Sequence, residues 1–129
     1  MRCEVEVYLR KGIVYVPTMG KMDEGFYRGV EPAAVVPVSN TDEVRQALHA
    51  TIARGNPIVP ILRRGEIPPP VLLKFAGIGR WSAFERGLLF WEIIEDDGTF
   101  RIAGQRKQPD GMWRRSGANH HLSPGRNCR

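Results

Sequence analysis

Apolar and polar residues alternate strictly over residues 3–9, which predicts a half-buried β-strand. Apolar residues return over residues 13–16, after Lys11-Gly12. A two-residue turn at that dipeptide pairs Leu9 with Val14, so the two apolar sets share one face. The pattern therefore predicts an N-terminal β-hairpin, although lysine is an unfavourable residue for the positive φ that such a turn requires.

A stronger turn signal lies at Asp97-Gly98, between two runs rich in aromatic and β-branched residues. With this dipeptide as a two-residue loop, Ile93 faces Ile102 and Trp91 faces Gly104. A Pro-Asp-Gly turn at residues 109–111 leads to a third strand, over residues 112–116, whose two arginines suit a sheet edge. We expect a three-stranded meander whose core face carries Trp91, Ile93, Phe100 and Ile102.

One long helix is predicted over about residues 41–54, where Asn40 caps an apolar stripe at helical spacing. Gly55-Asn56-Pro57 ends it. A short helix is predicted over about residues 82–86, because Ser82 and Glu85 fit a capping box. We expect Phe84, in that short helix, to be buried together with Trp91.

The remaining segments are shorter. Residues 18–29 contain three glycines and are predicted to be an ordered loop with a short strand near Phe26. Pro17 is expected to end the preceding strand or to keep it at a sheet edge, and residues 31–38 are expected to form an irregular or edge strand. Residues 58–62 and 71–76 are predicted as two further strands.

These elements predict an α+β domain over residues 1–116, an antiparallel sheet with the long helix packed on one face. Residues 117–129 have few apolar side chains, and we expect a flexible basic tail. No apolar run approaches the roughly 20 residues of a membrane span. The amino terminus does not resemble a secretory signal, and the protein is expected to be cytoplasmic.

The chain of 129 residues has a net charge of +5, and the excess is localised. Residues 1–62 contain seven basic and seven acidic residues, whereas residues 99–129 contain seven basic residues and one acid, Asp110. This distribution indicates an acidic partner. The alternative is that the positive charge only maintains solubility.

No catalytic or metal-ligand spacing stands out, so no catalytic residue, metal or cofactor is predicted. The acids cluster at a turn and at a helix start, where turn and cap chemistry explain them. The two cysteines, Cys3 and Cys128, are expected to be free thiols, the alternative being a disulfide between the two ends of the chain. His120-His121 falls in the predicted tail, where a catalytic geometry would be hard to hold.

Several segments together resemble small bacterial immunity proteins, the cytosolic antitoxins of contact-dependent growth inhibition systems. They lie between residues 31 and 115: Arg54-Gly55-Asn56-Pro57, Leu73-Lys74-Phe75-Ala76-Gly77, Trp81-Ser82-Ala83-Phe84-Glu85-Arg86, the Asp97-Gly98 hairpin with Trp91, and Pro109-Asp110-Gly111-Met112-Trp113. The resemblance implies a protein that binds and blocks a cognate toxin domain without catalysis. Immunity proteins against nuclease toxins are usually acidic, so this basic chain implies an acidic toxin or another mode of blocking.

The leading hypothesis is therefore a non-enzymatic protein-binding module, an immunity protein. A nucleic-acid-binding domain is the alternative, since basic residues beside an aromatic suit that role. In both cases the partner is predicted to contact the second and third meander strands, at Arg101, Arg106, Lys107, Trp113, Arg114 and Arg115. A third possibility is that these arginines only protect an edge strand from aggregation.

Overall fold

The computed structural model describes residues 2–22, 26–62, 70–107, 113–115 and 120–122. The side chains of Arg2 and of residues 106, 107, 113–115 and 120–122 are outside this description. The elements, in chain order, are β1 (Arg2–Arg10), β2 (Ile13–Lys21), β3 (Tyr27–Pro37), α1 (Thr41–Arg54), α2 (Val71–Ala76), α3 (Trp81–Phe84), β4 (Leu89–Asp96), β5 (Thr99–Lys107), β6 (Trp113–Arg115) and β7 (His120–Leu122).

The strands form one antiparallel sheet in the order β3-β2-β1-β4-β5-β6, with β7 also paired to β5. The first strand therefore lies in the middle of the sheet, between β2 and β4. Its register with β4 runs from Arg2 opposite Asp96 to Leu9 opposite Leu89. The predicted α+β class is confirmed.

Both predicted hairpins have the expected register. Leu9 lies opposite Val14 in the first, and Lys11 adopts the positive φ of 49° that the two-residue turn requires. In the second, Ile93 lies opposite Ile102 and Trp91 opposite Gly104. Glu95 supports this second turn, because its buried carboxylate accepts a hydrogen bond from the Gly98 N–H at 2.9 Å. The predicted turn at residues 109–111 lies outside the described residues.

Helices cover both faces of the sheet. The helix α1 packs on the face that carries Val5, Val7 and Val16, and its partly buried side chains Val44, Leu48 and Ile52 complete that core. Its start is capped as predicted, since Asn40 Oδ1 accepts from the Glu43 N–H at 3.2 Å. The opposite face packs against α2 and α3 in a second core, built from the buried residues Tyr15, Leu72, Leu73, Phe84 and Leu88.

The second helical layer corrects the prediction of a strand over residues 71–76. The six residues form α2, which Gly77 ends at a φ of 68°. Leu72 and Leu73 are buried, whereas Lys74 is exposed and lies 2.9 Å from Glu31. A run this short does not distinguish helical from strand periodicity. The apolar run fits a short helix that buries Leu72 and Leu73 and leaves Lys74 exposed, paired with Glu31 of β3.

The short helix is also displaced from its prediction. It spans Trp81–Phe84 instead of residues 82–86. Ser82 lies inside the helix, and the residue at the capping position, Arg80, makes no side-chain capping bond. The prediction of a capping box is therefore wrong. Phe84 is fully buried as expected, but Trp91 is only partly buried and lies at the margin of the first core.

Residues 58–62 do not form the predicted buried strand. Ile58 and Ile61 are 72% and 53% exposed, and the segment makes a single parallel bridge, between Ile58 and Lys21. Val59 packs so closely over Gly20 that a Cβ at Gly20 would approach the valine Cγ1 to 2.5 Å. The Val59 side chain therefore occupies the space that any side chain at residue 20 would need, which explains the glycine.

The strands β2 and β3 also extend further than predicted, to Lys21 and from Tyr27. Strand β2 does not end at Pro17. It continues to Lys21, and its pairing register with β3 shifts between Pro17 and Thr18. The prediction that β3 lies at the sheet edge is confirmed.

Two expectations concern the ends of the chain. Within residues 117–129, His120–Leu122 forms β7, paired with Phe100–Ile102 of β5, and the other residues lie outside the described ones. Cys3 is disulfide-bonded and not the free thiol that the sequence predicts. The chain's other cysteine, Cys128, is outside the described residues.

Candidate functional site

A cavity of about 280 Å³ lies between the sheet and the α2–α3 layer. We call it the sheet–helix cavity. Its walls come from β1, β2 and β3 on one side and from the two short helices on the other. The lining residues are Glu6, Tyr8, Pro17, Met19, Arg28, Gly29, Pro70, Val71, Leu72 and Trp81.

The strands β1 and β2 form one wall of the cavity, and they diverge there. Their register runs only from Arg10 opposite Ile13 to Tyr8 opposite Tyr15. Beyond that point Asn56 bridges them: its Oδ1 accepts from the Glu4 N–H at 2.8 Å, and its Nδ2 donates to the Glu4 and Met19 carbonyl oxygens at 2.8 and 2.9 Å. The side-chain amide replaces a direct ladder between the strands.

Glu6 and Tyr8 are polar groups of this wall, and they bind each other. The Tyr8 hydroxyl donates a short hydrogen bond to Glu6 Oε1. Burial raises the pKa of the Glu6 carboxyl above its usual 4.5; the Tyr8 bond opposes this shift, and the neighbouring charge of Glu92 adds to it. Burial also raises the pKa of Tyr8 well above its usual value, and the charges of Glu6, Glu4 and Glu92 act in the same direction.

Aromatic side chains surround the phenol ring of Tyr8. Phe90 stacks on it with ring centroids 4.7 Å apart, and Trp81 meets it edge-on at 6.2 Å. Phe84 contacts it from the helical layer at 6.3 Å. The cavity thus offers a carboxyl group, Glu6, in apolar and aromatic surroundings, where the interaction with a donor or a positive charge is stronger than in water.

The sequence placed Glu6 and Tyr8 on the solvent side of a half-buried strand. That inference failed because α2 and α3 cover this face. The sequence did contain one indication of the second layer, because β4 has large apolar residues on both of its faces. Phe90 and Ile94 lie on one face, and Trp91 and Ile93 lie on the other. A strand with two apolar faces is expected to be covered on both sides.

The predicted partner-binding residues lie at the other end of the sheet. The ladder between β5 and β6 sets Arg106 opposite Arg114, Lys107 opposite Trp113 and Gln105 opposite Arg115. Arg101 lies further along β5, opposite Ile94 and His121, and is partly buried. Because successive strand positions alternate between the two faces, the Arg106–Arg114 position belongs to one face and the other basic positions to the other.

No group of three or more histidine, cysteine, aspartate and glutamate residues among the described ones is placed to hold a metal ion. No helix in the described part of the chain is both long and apolar enough to cross a membrane.

Comparisons with known proteins bear on the fold alone. No protein-family model matches the chain, and no curated protein matches it. One solved structure with a similar fold is a Neisseria meningitidis protein of unknown function, NMB0488. The alignment has a TM-score of 0.55 at 13% sequence identity, and it covers 95% of this chain and 84% of the other.

Proposed function

We propose that this protein binds and neutralises a cognate toxin domain in the cytosol, without catalysing a reaction, as an immunity protein of a contact-dependent growth inhibition system. The observation that supports this most is the register of β5 and β6. Four of the six ladder positions are basic and none is acidic: Gln105, Arg106, Lys107, Trp113, Arg114 and Arg115.

Like charges directly opposite each other destabilise an antiparallel pair, and Arg106 lies directly opposite Arg114. An acidic partner surface relieves that repulsion on binding and speeds the encounter. Tryptophan and arginine are also the residue types enriched where binding energy concentrates in protein interfaces. The resemblance of segments within residues 31–115 to immunity proteins supports the choice of partner.

The test is the affinity for the C-terminal domain of the toxin encoded directly upstream, measured by biolayer interferometry at several salt concentrations. Wild type is expected to bind at or below micromolar concentrations. The double variant Arg114→Glu/Arg115→Glu should associate more slowly and with a smaller salt dependence.

A matched control is Lys11→Glu/Arg45→Glu, which changes the net charge equally at exposed positions on the β1–β2 turn and on α1. It should bind as the wild type does. Wild type without measurable binding at micromolar concentrations would refute the proposed function. A double variant at β6 that binds like wild type would instead place the contact elsewhere on the protein.

One position favours a second candidate function, nucleic-acid binding. Lys107 lies opposite Trp113 in the ladder, and basic and aromatic residue types on neighbouring strands suit a single strand whose bases stack while its phosphates are neutralised. Fluorescence anisotropy with labelled single-stranded oligonucleotides distinguishes the two functions. A nucleic-acid-binding domain binds all sequences with a steep salt dependence, which Arg114→Glu/Arg115→Glu flattens; an immunity protein leaves the anisotropy unchanged.

A further inference from the structure

We propose that the sheet–helix cavity is a binding site for a small ligand with an ammonium group on an apolar stem, with the Glu6 carboxylate as its counter-ion and Tyr8 and Trp81 as its aromatic walls. This site is separate from the β5–β6 ladder, so the inference does not depend on the proposed function.

The space suits a ligand of modest size. The volume of about 280 Å³ is just below the roughly 300–1,000 Å³ that is typical of small-molecule sites. Most lining residues are apolar, among them Met19, Val71 and Leu72. Gly29 lines the β3 wall opposite the helix, and a Cβ there would meet Val71 at 3.4 Å.

Two carboxyl groups lie side by side at the β1 wall, although the whole protein has a net charge of +5. Glu6 lies opposite Glu92 in the register of β1 and β4. Within the described part of the chain, no lysine or arginine forms an ion pair with either carboxylate. A positive group beside Glu6 offsets the cost of ionising a carboxyl that is removed from water.

The surface chemistry favours an ammonium group over a neutral donor. Tyr8 and Trp81 both line the cavity, with their rings at 89° to each other. Faces of aromatic rings attract cations, and the attraction grows when the cation is desolvated. Glu6 supplies the charge and the aromatic rings supply a weakly polar enclosure, which together match an ammonium group and its attached carbon atoms.

Arg28 is the basic residue among those that line the cavity. It bears on whether the ligand carries a carboxylate as well as an ammonium group. It belongs to β3, which is separated from β1 by β2. Its Nε is buried and has no hydrogen-bond partner among the described residues. A ligand that also carries a carboxylate, as an apolar amino acid does, can use this arginine, whereas a simple amine cannot. Both ligands share the ammonium group that Glu6 recognises.

The first experiment compares three probes on the wild-type protein, with amide chemical shifts followed by NMR: 2-phenylethylamine, its neutral analogue 2-phenylethanol, and phenylalanine. We expect 2-phenylethylamine to shift amides around the cavity, such as those of Gly29 and Leu72, and to bind about ten-fold or more tightly than the alcohol, as a desolvated charged pair requires. Equal affinities for amine and alcohol would overturn the proposal, as would shifts confined to α1. No variant is needed for this comparison.

The second experiment tests whether Glu6 is the group that recognises the ammonium group of the ligand. Glu6→Gln keeps the shape of the side chain. It should weaken the binding of 2-phenylethylamine about ten-fold and leave the affinity for 2-phenylethanol unchanged. The matched control is Glu43→Gln, an exposed residue of α1 on the opposite face of the sheet, which should change neither affinity. An unchanged amine affinity in folded Glu6→Gln would overturn the assignment to Glu6.

Phenylalanine distinguishes the two kinds of ligand. Tighter binding of phenylalanine than of the amine, with the advantage lost in Arg28→Gln, supports an amino acid as the natural ligand. Tighter binding of the amine supports a simple amine. If phenylalanine and 2-phenylethylamine both fail to bind at millimolar concentration, the cavity has no such site and the proposal is refuted.

Discussion

Glu6 and Tyr8 illustrate how two polar side chains are accommodated beneath a helical layer. Each satisfies the other through the hydrogen bond from the phenol to the carboxylate. Burying an ionised carboxyl without a cation still costs free energy, and this cost appears as the raised pKa of Glu6. The stability of the fold is therefore coupled to the protonation of this one residue.

The coupling predicts the direction of a pH effect. The folded-state pKa of Glu6 lies above 4.5, its ordinary value in an unfolded chain, so between these two values the folded protein holds a proton that the unfolded chain has released. The stabilisation by protonated Glu6 is fully present below pH 4.5 and is lost as the pH rises through the folded-state pKa. Urea unfolding of wild type and Glu6→Gln from about pH 4 to about pH 8 measures it.

Glu6→Gln is expected to gain stability relative to wild type as the pH rises, because the glutamine does not ionise. Glu43→Gln, which changes an exposed residue of α1, should follow the wild-type curve. A difference between Glu6→Gln and wild type that stays constant with pH would show that Glu6 has the same pKa in both states.

Phe84 and Trp91 differ in burial, and this predicts different costs of truncation. Phe84 is fully buried among Tyr8, Tyr15 and Trp81, so Phe84→Ala should lower the free energy of unfolding by about 3–5 kcal/mol. Trp91 is only partly buried, so Trp91→Ala should lower the free energy of unfolding by less than Phe84→Ala does. Denaturant titrations of the two variants test this order, and a larger loss for Trp91→Ala would contradict it.

At the scale of single elements, Asn56 connects the long helix with the sheet. It follows Gly55 at the end of α1, and its amide group joins Glu4 of β1 to Met19 of β2. One side chain thus occupies the place of a ladder rung between two strands that have separated. Glu6 of β1 and Met19 of β2, which line the sheet–helix cavity, lie in the parts of these strands beyond the direct ladder.

Asn56→Ala removes three hydrogen bonds and leaves partly buried backbone groups without partners. We expect a loss of about 2–3 kcal/mol, because an unsatisfied polar group costs more than a lost exposed bond. Asn40→Ala, which removes an exposed helix cap, should cost only about 1 kcal/mol. Denaturant unfolding gives both values, and hydrogen exchange at the Glu4 amide should accelerate only in Asn56→Ala. A smaller loss at Asn56 than at Asn40 would rule out this bridging role.

The elements show what sequence patterns can and cannot determine. Asp97-Gly98 and Lys11-Gly12 each fixed a hairpin register, because a two-residue turn permits few backbone geometries and the register follows from the turn. The helix α1 was predictable from its cap and its stripe. The helix α2 was not, since its six residues gain their conformation from packing against the sheet, which is a tertiary effect.

The sheet–helix cavity and the basic strands β5 and β6 also differ in how far they could be predicted from the sequence. Arg106, Lys107, Arg114 and Arg115 are neighbours in a local hairpin, so the sequence alone brings them together. The sheet–helix cavity joins Glu6 to Trp81 and Arg28, which come close only after β1 enters the middle of the sheet and the short helices close over it. Such long-range placement leaves no periodic signal in the chain.

At the scale of the whole molecule, the centre of the sheet is formed by the chain's first strand. Strand β1 pairs with β2 through a tight turn and with β4 from a distant part of the chain. Helices cover it on both faces, with Val5 at 2% exposure on the side of α1. Strand β3 lies at the end of the sheet order, and no described strand pairs with its outer edge.

This arrangement predicts the distribution of local stability. Amide protons of β1 and β4 should exchange most slowly, with opening free energies near that of global unfolding, because their release requires the sheet to separate. Along β3 the exchange should alternate, since the amides directed to β2 are bonded and those directed outward are open to water. Hydrogen exchange followed by NMR on the wild-type protein measures each amide. Uniform slow exchange along β3 would contradict this prediction and would indicate that another strand, such as β3 of a second copy, covers the edge in solution.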